Sequence, residues 1–341
     1  MLAEPHERWL LDAARAGDQE SFRGLVEPRR AELLAHCYRM LGSLQDAEDA
    51  LQETMFRAWR GLSTFEDGRA LRPWLYRIAT NVCLDLLAKR PRRVLPIDHG
   101  PAADDNATGP GKPLMERIWL EPYPDEQLGD EDDYAAPEAR YEQRESVELA
   151  FIAALQHLPA RQRAVLILRE VLGFSAREVA ELLETTAASV NSALQRARKA
   201  VEERLPAQSQ QTTIRALGDE QLRAVVQRYV EAWESRNVDA LLTLLVDDAR
   251  FAMPPFPNWF QGRDAVIAFI ASTGRPRLRH VLTRANGQPA VAWYVWNRAR
   301  QTYLPSSLEV LTLDGAHVKE IVAFASPELV PRFGLPSALP A

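Results

Sequence analysis

The stretch Ser175-Ala-Arg-Glu-Val-Ala-Glu-Leu-Leu-Glu-Thr-Thr-Ala-Ala-Ser-Val-Asn-Ser-Ala-Leu-Gln-Arg-Ala-Arg-Lys199 decides the fold of the middle of the chain. Ser175 is placed to accept a hydrogen bond from the backbone three residues on, and Glu178 to return one, the reciprocal arrangement that starts a helix. This first helix runs to Leu183, and a turn over residues 184–186 leads into a second helix. There Val190, Leu194, Ala197 and Val201 recur at helical spacing. The opposite face of the second helix carries Ser189, Ser192, Gln195, Arg196 and Lys199, donors suited to base edges and phosphates in a major groove. Taken alone, the segment fits a helix-turn-helix and an exposed polar face on a structural helix hairpin equally well.

Working outward, Val147, Phe151, Leu155 and Leu158 share one helical face, Pro159 restarts a helix through Val165, Leu166 and Leu168, and Gly173 ends it. A block over residues 140–205 is therefore all-α. So is a block over residues 10–93, where Phe22, Leu25 and Val26, then Leu33, Leu34, Cys37, Met40 and Leu41, are spaced by three and four. Between them, residues 94–139 form an acidic, proline-rich linker. Twelve acids between Asp98 and Glu138 face only Lys112 and Arg117 as bases. Within it Trp119-Leu-Glu-Pro-Tyr-Pro-Asp125 is an apolar island, and Trp119, Leu120, Pro122 and Tyr123 are the residues expected to dock onto another domain. The acidic run at residues 130–133 reads as solvating.

A second break falls at residues 206–213, polar and without periodicity. The block that follows, 217–326, is α+β. Helices near 219–234 and 238–245 precede strands near 277–285, 289–298, 306–313 and 317–325, with hairpin turns at Asn286-Gly287 and Asp314-Gly315. These strands are expected to form a curved antiparallel sheet covered on one face by the helices.

The 341 residues exceed what one core spans, and 46% hydrophobic with 26% charged residues excludes wholesale disorder and collagen-like repeats. No run approaches the roughly 18 to 20 apolar residues of a membrane span, so no membrane partner is expected and the location is read as cytoplasmic. Cys37 and Cys83 have neither zinc-site spacing nor disulfide density and read as buried thiols. Neither a metal nor another cofactor is expected. The formal net charge of −6 requires any nucleic-acid binding to rest on local basic patches, and six bases against one acid between Arg72 and Arg93 supply one. Trp74 within that patch is assigned to core packing.

The segment Asp46-Ala-Glu-Asp-Ala-Leu-Gln-Glu-Thr-Met-Phe-Arg-Ala-Trp59 resembles the signature helix of region 2 in sigma-70 family initiation factors. The loop over residues 65–72 and Arg72-Pro-Trp-Leu-Tyr-Arg-Ile-Ala-Thr-Asn-Val-Cys-Leu-Asp85 resemble the part of region 2 that opens and reads the −10 element. Leu158 to Arg198 resembles region 4, which recognises the −35 element. With an acidic linker instead of a folded region 3, the match is to the extracytoplasmic-function group. The linker island resembles the WLPEP-type motif of sigma factors with a C-terminal extension. Tyr229-Val-Glu-Ala-Trp, Ala252-Met-Pro-Pro and Trp259-Phe-Gln-Gly-Arg-Asp resemble SnoaL-like domains of the NTF-like cone fold.

The resemblance implies a multidomain protein, two all-α sigma domains followed by an α+β SnoaL-like cone. Its partners are core RNA polymerase, gripped at the clamp through Asp46, Asp49, Gln52 and Glu53, and promoter DNA. Arg77, Asn81, Arg90 and Arg92 are assigned to the −10 side. On the −35 side Arg196 and Lys199 anchor phosphate while Ser189, Ser192 and Gln195 read bases. The cone is expected to stand in for a separate anti-sigma factor. The alternatives are an isomerase or cyclase using His280 with Asp247 or Asp248, and a ligand-sensing cone lined by Trp259, His280 and Trp296. No catalytic residue is assigned, because fold-level analogy alone does not establish a reaction.

Overall fold

The computed structural model describes residues 5–65, 70–104, 109–114, 118–128, 142–272 and 276–341. The solvating run at 130–133 and part of the 65–72 loop lie outside the described residues. Contacts divide the chain into two units: Met1–Arg92 with Gln127–Ser146 and Ala150–Leu205, and Arg93–Glu126 with Val147–Leu149 and Pro206–Ala341.

The first unit is helical because its apolar residues recur at helical spacing. It contains α1 (Pro5–Arg15), α2 (Gln19–Val26), α3 (Arg30–Leu41), α4 (Leu44–Gly61) and α5 (Leu71–Leu87). Every residue of α3 from Leu33 to Leu41 is buried, as expected of a helix surrounded by others. Gly42 closes α3 in the left-handed region, at φ 68°, and Ser43 opens α4 by accepting the Asp46 N–H at 3.1 Å. Trp74 lies against Phe65 with ring centroids 4.9 Å apart. Cys37 and Cys83 are free and buried.

The same unit holds α6 (Leu149–Gln156), α7 (Ala160–Leu166), α8 (Ala176–Leu182) and α9 (Ala187–Glu202). The reciprocal cap at Ser175 and Glu178 is formed, with bonds of 3.2 and 2.7 Å. The continuous helix expected through Val147 is interrupted instead. Residues 146–148 leave the helix because the Ser146 carbonyl accepts from Arg39 and the Val147 carbonyl from Asn286.

The second unit contains α10 (Gln210–Ser235), α11 (Val238–Leu244), β1 (Leu245–Ala252), β2 (Trp259–Gln261), α12 (Arg263–Ser272), β3 (Leu278–Ala285), β4 (Gln288–Asn297), β5 (Thr302–Asp314) and β6 (His317–Phe324). The sheet order is β2-β1-β6-β5-β4-β3. Strands β3 to β6 form the expected antiparallel meander, but β1 pairs in parallel with β6, so the sheet is mixed. Strands β1 and β2 escaped the sequence reading. Asp247, Asp248 and Arg250 interrupt the apolar pattern of β1, and β2 is only three residues long. The expected break at 206–213 is also corrected. Ser209 caps α10 by accepting the Thr212 N–H at 3.2 Å, and α10 runs through to a break in helical geometry at Gly218, φ 72°. Its first turn is anchored by buried glutamines rather than apolar residues: the Gln210 amide bonds both the carbonyl and the N–H of Leu313, at 2.9 and 2.7 Å.

Helices α10, α11 and α12 pack over the sheet in one hydrophobic core, and inside that core sits a carboxyl group. Glu309 accepts from the Tyr229 hydroxyl at 2.7 Å. The Trp293 indole approaches closely enough to favour the charged form without closing a hydrogen bond. Burial nevertheless dominates and raises the Glu309 pKa from 4.5 to about 7. The folded cone therefore favours the protonated acid. The stability this group supplies is complete below pH 4.5 and declines as pH rises through 7, by on the order of 3 kcal/mol. In the helical unit His36 has the opposite sign. Burial, with Arg39 nearby, lowers its pKa to about 3, so stability present above pH 6.5 is lost as pH falls toward 3. Glu309→Gln is expected to remove the loss of cone stability between pH 5 and pH 8. Urea unfolding at both pH values reads this, and an unchanged pH dependence contradicts it.

Candidate nucleic-acid interface

Helix α9 buries Val190, Leu194, Ala197 and Val201 and leaves Ser189, Ser192, Gln195, Arg196 and Lys199 exposed on the far side. Thr186, the residue before the helix, accepts the Ser189 N–H at 3.2 Å and donates its hydroxyl to the Ser189 Oγ at 3.0 Å. The turn between α8 and α9 is made by Glu184 in the left-handed region, φ 52°. With its apolar stripe buried, α9 presents a polar face of the kind that enters a major groove.

On α5, Asn81 is exposed, while Arg77 is bound by Glu184 at 2.5 Å. Arg72 bonds Glu32 at 3.2 Å and stacks over the Phe174 ring at 5.0 Å. The Tyr76 ring meets Phe174 edge-on at 5.4 Å. Arg72, Tyr76 and Arg77 of α5 thus meet residues of the helix-turn-helix block, while Asn81 stays exposed. Arg92 bonds His157 at 3.2 Å. Arg90 is paired with Asp46, whose side chain is only 3% exposed. Asp46, read from the sequence as a polymerase contact, is instead turned inward toward Arg90. Of the other three, Asp49 and Gln52 are exposed, and Glu53 holds Arg57 at 2.7 Å.

One guanidinium fastens the two helical blocks together. Arg163 on α7 is 3% exposed and donates to the Met40 carbonyl, to the Gln156 Oε1 at 2.5 Å and to the Gln156 and Leu158 carbonyls at 3.1 and 3.3 Å. Met40 stands at the end of α3, Gln156 at the end of α6, where helix carbonyls lack partners and the helix dipole is negative. Desolvation lowers the Arg163 pKa to about 10, so the charge is retained. Arg39 adds bonds to the Ser146 carbonyl and hydroxyl at 3.1 and 2.7 Å.

In the second unit the linker lies along the sheet domain. Trp259 Nε1 donates to the Gly100 carbonyl at 2.9 Å, Asn258 to Gly109 at 3.2 Å, and the Leu114 N–H to Pro255 at 2.9 Å. Trp119, Leu120, Pro122 and Tyr123 are all buried. The Tyr123 N–H bonds the Asn286 Oδ1 at 2.9 Å, and Asp125 bonds Arg284 and the Gly287 N–H. The aromatic island is thus buried, and the backbone of Tyr123 and the carboxylate of Asp125 meet the Asn286-Gly287 hairpin.

The three residues read as a pocket lie apart. Trp259 sits on β2, at the opposite edge of the sheet from β3, beneath the linker. His280 pairs across the strand with Trp293 and bonds Glu234 at 2.7 Å. Trp296 is an odd number of residues from Trp293 and so faces the other side of the sheet, where it meets Tyr303 at 5.0 Å. Asp247 is paired with Arg263 at 2.9 Å. Sequence reasoning missed Glu184, Asn286 and Glu309. The left-handed turn at Glu184 carries no glycine signal, Asn286 was legible only as a turn former, and Glu309 only as a polar residue in a strand.

Residues 25–93 match the sigma-70 region 2 family, residues 148–201 match sigma-70 region 4, and residues 226–322 match the SnoaL-like domain. Regions 2 and 4 in this order define a transcription initiation factor that binds core RNA polymerase and promoter DNA. The chain is 44% identical over 349 residues to the ECF RNA polymerase sigma factor SigG of Mycobacterium tuberculosis, covering 99% of this chain and 89% of that protein. It is 26% identical over 300 residues to the probable ECF RNA polymerase sigma factor SigI of the same organism, covering 85% and 89% respectively. The crystal structure of the M. tuberculosis extracytoplasmic function sigma factor SigJ shares its fold, with a TM-score of 0.58 and 21% identity over 92% of this chain and 99% of that one. The chain belongs to the extracytoplasmic-function family of RNA polymerase sigma factors.

Replacing Arg163 with Met leaves four buried carbonyl-type acceptors without their donor and is expected to destabilise the helical unit by about 3 kcal/mol. Arg163→Lys, with three donors, should recover part of that loss. Urea unfolding measures both; equal stability of the Met variant and the parent excludes the fastening role.

Proposed function

We propose that this sigma factor rests in a closed form, with a built-in regulator in place of a separate anti-sigma factor. Asp49, Gln52 and Glu53 on α4 meet the polymerase clamp, Arg77 and Asn81 on α5 engage the −10 element, and the exposed face of α9 enters the −35 major groove. Arg196 and Lys199 hold phosphates there while Ser189, Ser192 and Gln195 read bases. The cone domain modulates this activity without a reaction of its own, and the protein works in the cytoplasm, where its polymerase is. Among the described residues no helix is long and apolar enough to cross a membrane.

The observation that carries the closed form is the Arg77–Glu184 ion pair, which occupies a −10 side chain with a carboxylate from the helix-turn-helix turn. A DNA phosphate offers the same guanidinium the same chemistry. The regulatory role of the cone is supported by the burial of the linker island against it. An isomerase or cyclase is less well supported, since His280 is bonded to Glu234 and Glu309 to Tyr229.

Promoter-dependent transcription with bacterial core RNA polymerase tests the assignment. The full chain, a chain ending at Gln208 and the Lys199→Ala variant are compared on a promoter library. Lys199→Ala should weaken all promoters alike and reduce the salt slope by about 1, and loss of the cone should change transcript yield. Equal yield from the full and shortened chains contradicts the regulatory role, and no specific transcripts from any form contradict the DNA assignment.

A further inference from the structure

The β3–β4 turn does more than reverse the chain. An Asn-Gly turn needs a first residue that tolerates positive φ, and Asn286 meets that need at φ 57°. Nothing in turn chemistry requires such a residue to be buried, yet Asn286 is 0% exposed. Its N–H donates to the Tyr123 carbonyl at 2.9 Å, and its Oδ1 accepts the Tyr123 N–H at the same distance. Its Nδ2 donates to the Val147 carbonyl at 2.7 Å. A single side-chain amide thus joins the linker that leaves region 2 to the segment that leads into region 4.

The next two residues extend the junction. Gly287 donates its N–H to Asp125 and accepts from the Gln211 side chain, both at 2.7 Å. Gln288 Oε1 accepts the Leu149 N–H at 3.0 Å, and Gln211 in turn donates its N–H to Glu148 at 2.8 Å. The linker that follows region 2, the lead into region 4 and the segment that follows region 4 therefore meet at residues 286–288. Each of these bonds is buried or partly so, which makes their loss costly and their geometry well defined.

We propose that Asn286 is a positioning residue for two-element promoter recognition: by clasping the Tyr123 and Val147 backbones to one turn, it fixes which −10 to −35 spacings the protein accepts. This rests on the assignment of α5 and α9 to the two promoter elements. Two DNA-binding blocks on loosely held tethers accept a range of spacings with similar affinity, whereas blocks whose tethers share one anchor prefer a narrow range.

The test uses the full chain with core RNA polymerase on promoters that differ only in spacer length, one base pair at a time. Asn286→Gly keeps the turn conformation and removes both side-chain bonds, while Asn286→Asp keeps the acceptor for Tyr123 and loses the donor to Val147. The parent should show one narrow optimum. In the Gly variant the preference for that optimum over a spacer two base pairs longer should fall roughly tenfold, the effect of losing two buried hydrogen bonds, with the Asp variant in between. Amide exchange at Tyr123 and Leu149 should quicken in the Gly variant while β5 amides remain protected. An unchanged spacer profile despite faster exchange at Tyr123 overturns the proposal. So does an equal loss of transcription at every spacer, which is the mark of a purely structural residue. Absence of specific transcripts from the parent at all spacers overturns the underlying promoter assignment and the proposal with it.

Discussion

The helical half of this sigma factor depends on one buried cation surrounded by neutral oxygens. Arg163 collects the carbonyl ends of α3 and α6, groups that no other part of either helix is able to satisfy. Because α3 belongs to region 2 and α6 and α7 to region 4, the same guanidinium that completes two helices also unites two blocks. Among the described residues no carboxylate is an acceptor of it, so its described partners are helix-end oxygens rather than an ion pair, and desolvation lowers its pKa without neutralising it.

Around this buried fastening the contacts are of a different strength. Arg77–Glu184 is an ion pair between side chains 39% and 74% exposed, and such pairs contribute at most about 1 kcal/mol. It is readily exchanged for a phosphate, whereas the Arg163 cage is not readily exchanged for anything. On the proposed reading, the closed form is therefore set by buried polar bonds at one end and made responsive by exposed charges at the other. Polymerase must bind the open arrangement better by more than the cost of freeing the Met40 carbonyl and its neighbours.

Much of this was legible in the sequence where apolar periodicity or capping chemistry carries the information. The Ser175–Glu178 cap, the buried stripe of α9, the termination at Gly173 and the two hairpin turns all follow from local rules. Trp119, Leu120 and Tyr123 read as a docking segment because exposed aromatics among acids are unstable in water, and all three are buried. Polar burial was not legible. Asp46 looks like a surface acid from its helical pattern, yet Arg90 on a distant segment draws it inward, and Gln210 and Gln211 look like linker residues while anchoring a helix. The expected pocket failed because alternation along a strand assigns a face only once register is known, and the β2-to-β3 edge separation was not available from spacing. Asn286 reads as a turn former from sequence, and only the fold reveals that its side-chain amide bonds both Tyr123 and Val147.

The central claim is that regions 2 and 4 are held together in the free protein and part when polymerase binds. Spin labels at Asn81 on α5 and Ser192 on α9, both exposed, measure this directly by pulsed dipolar spectroscopy. The account predicts one short, narrow distance distribution for the free chain and a longer one on adding core RNA polymerase. The same distribution with and without polymerase, or a broad one in the free chain, contradicts it.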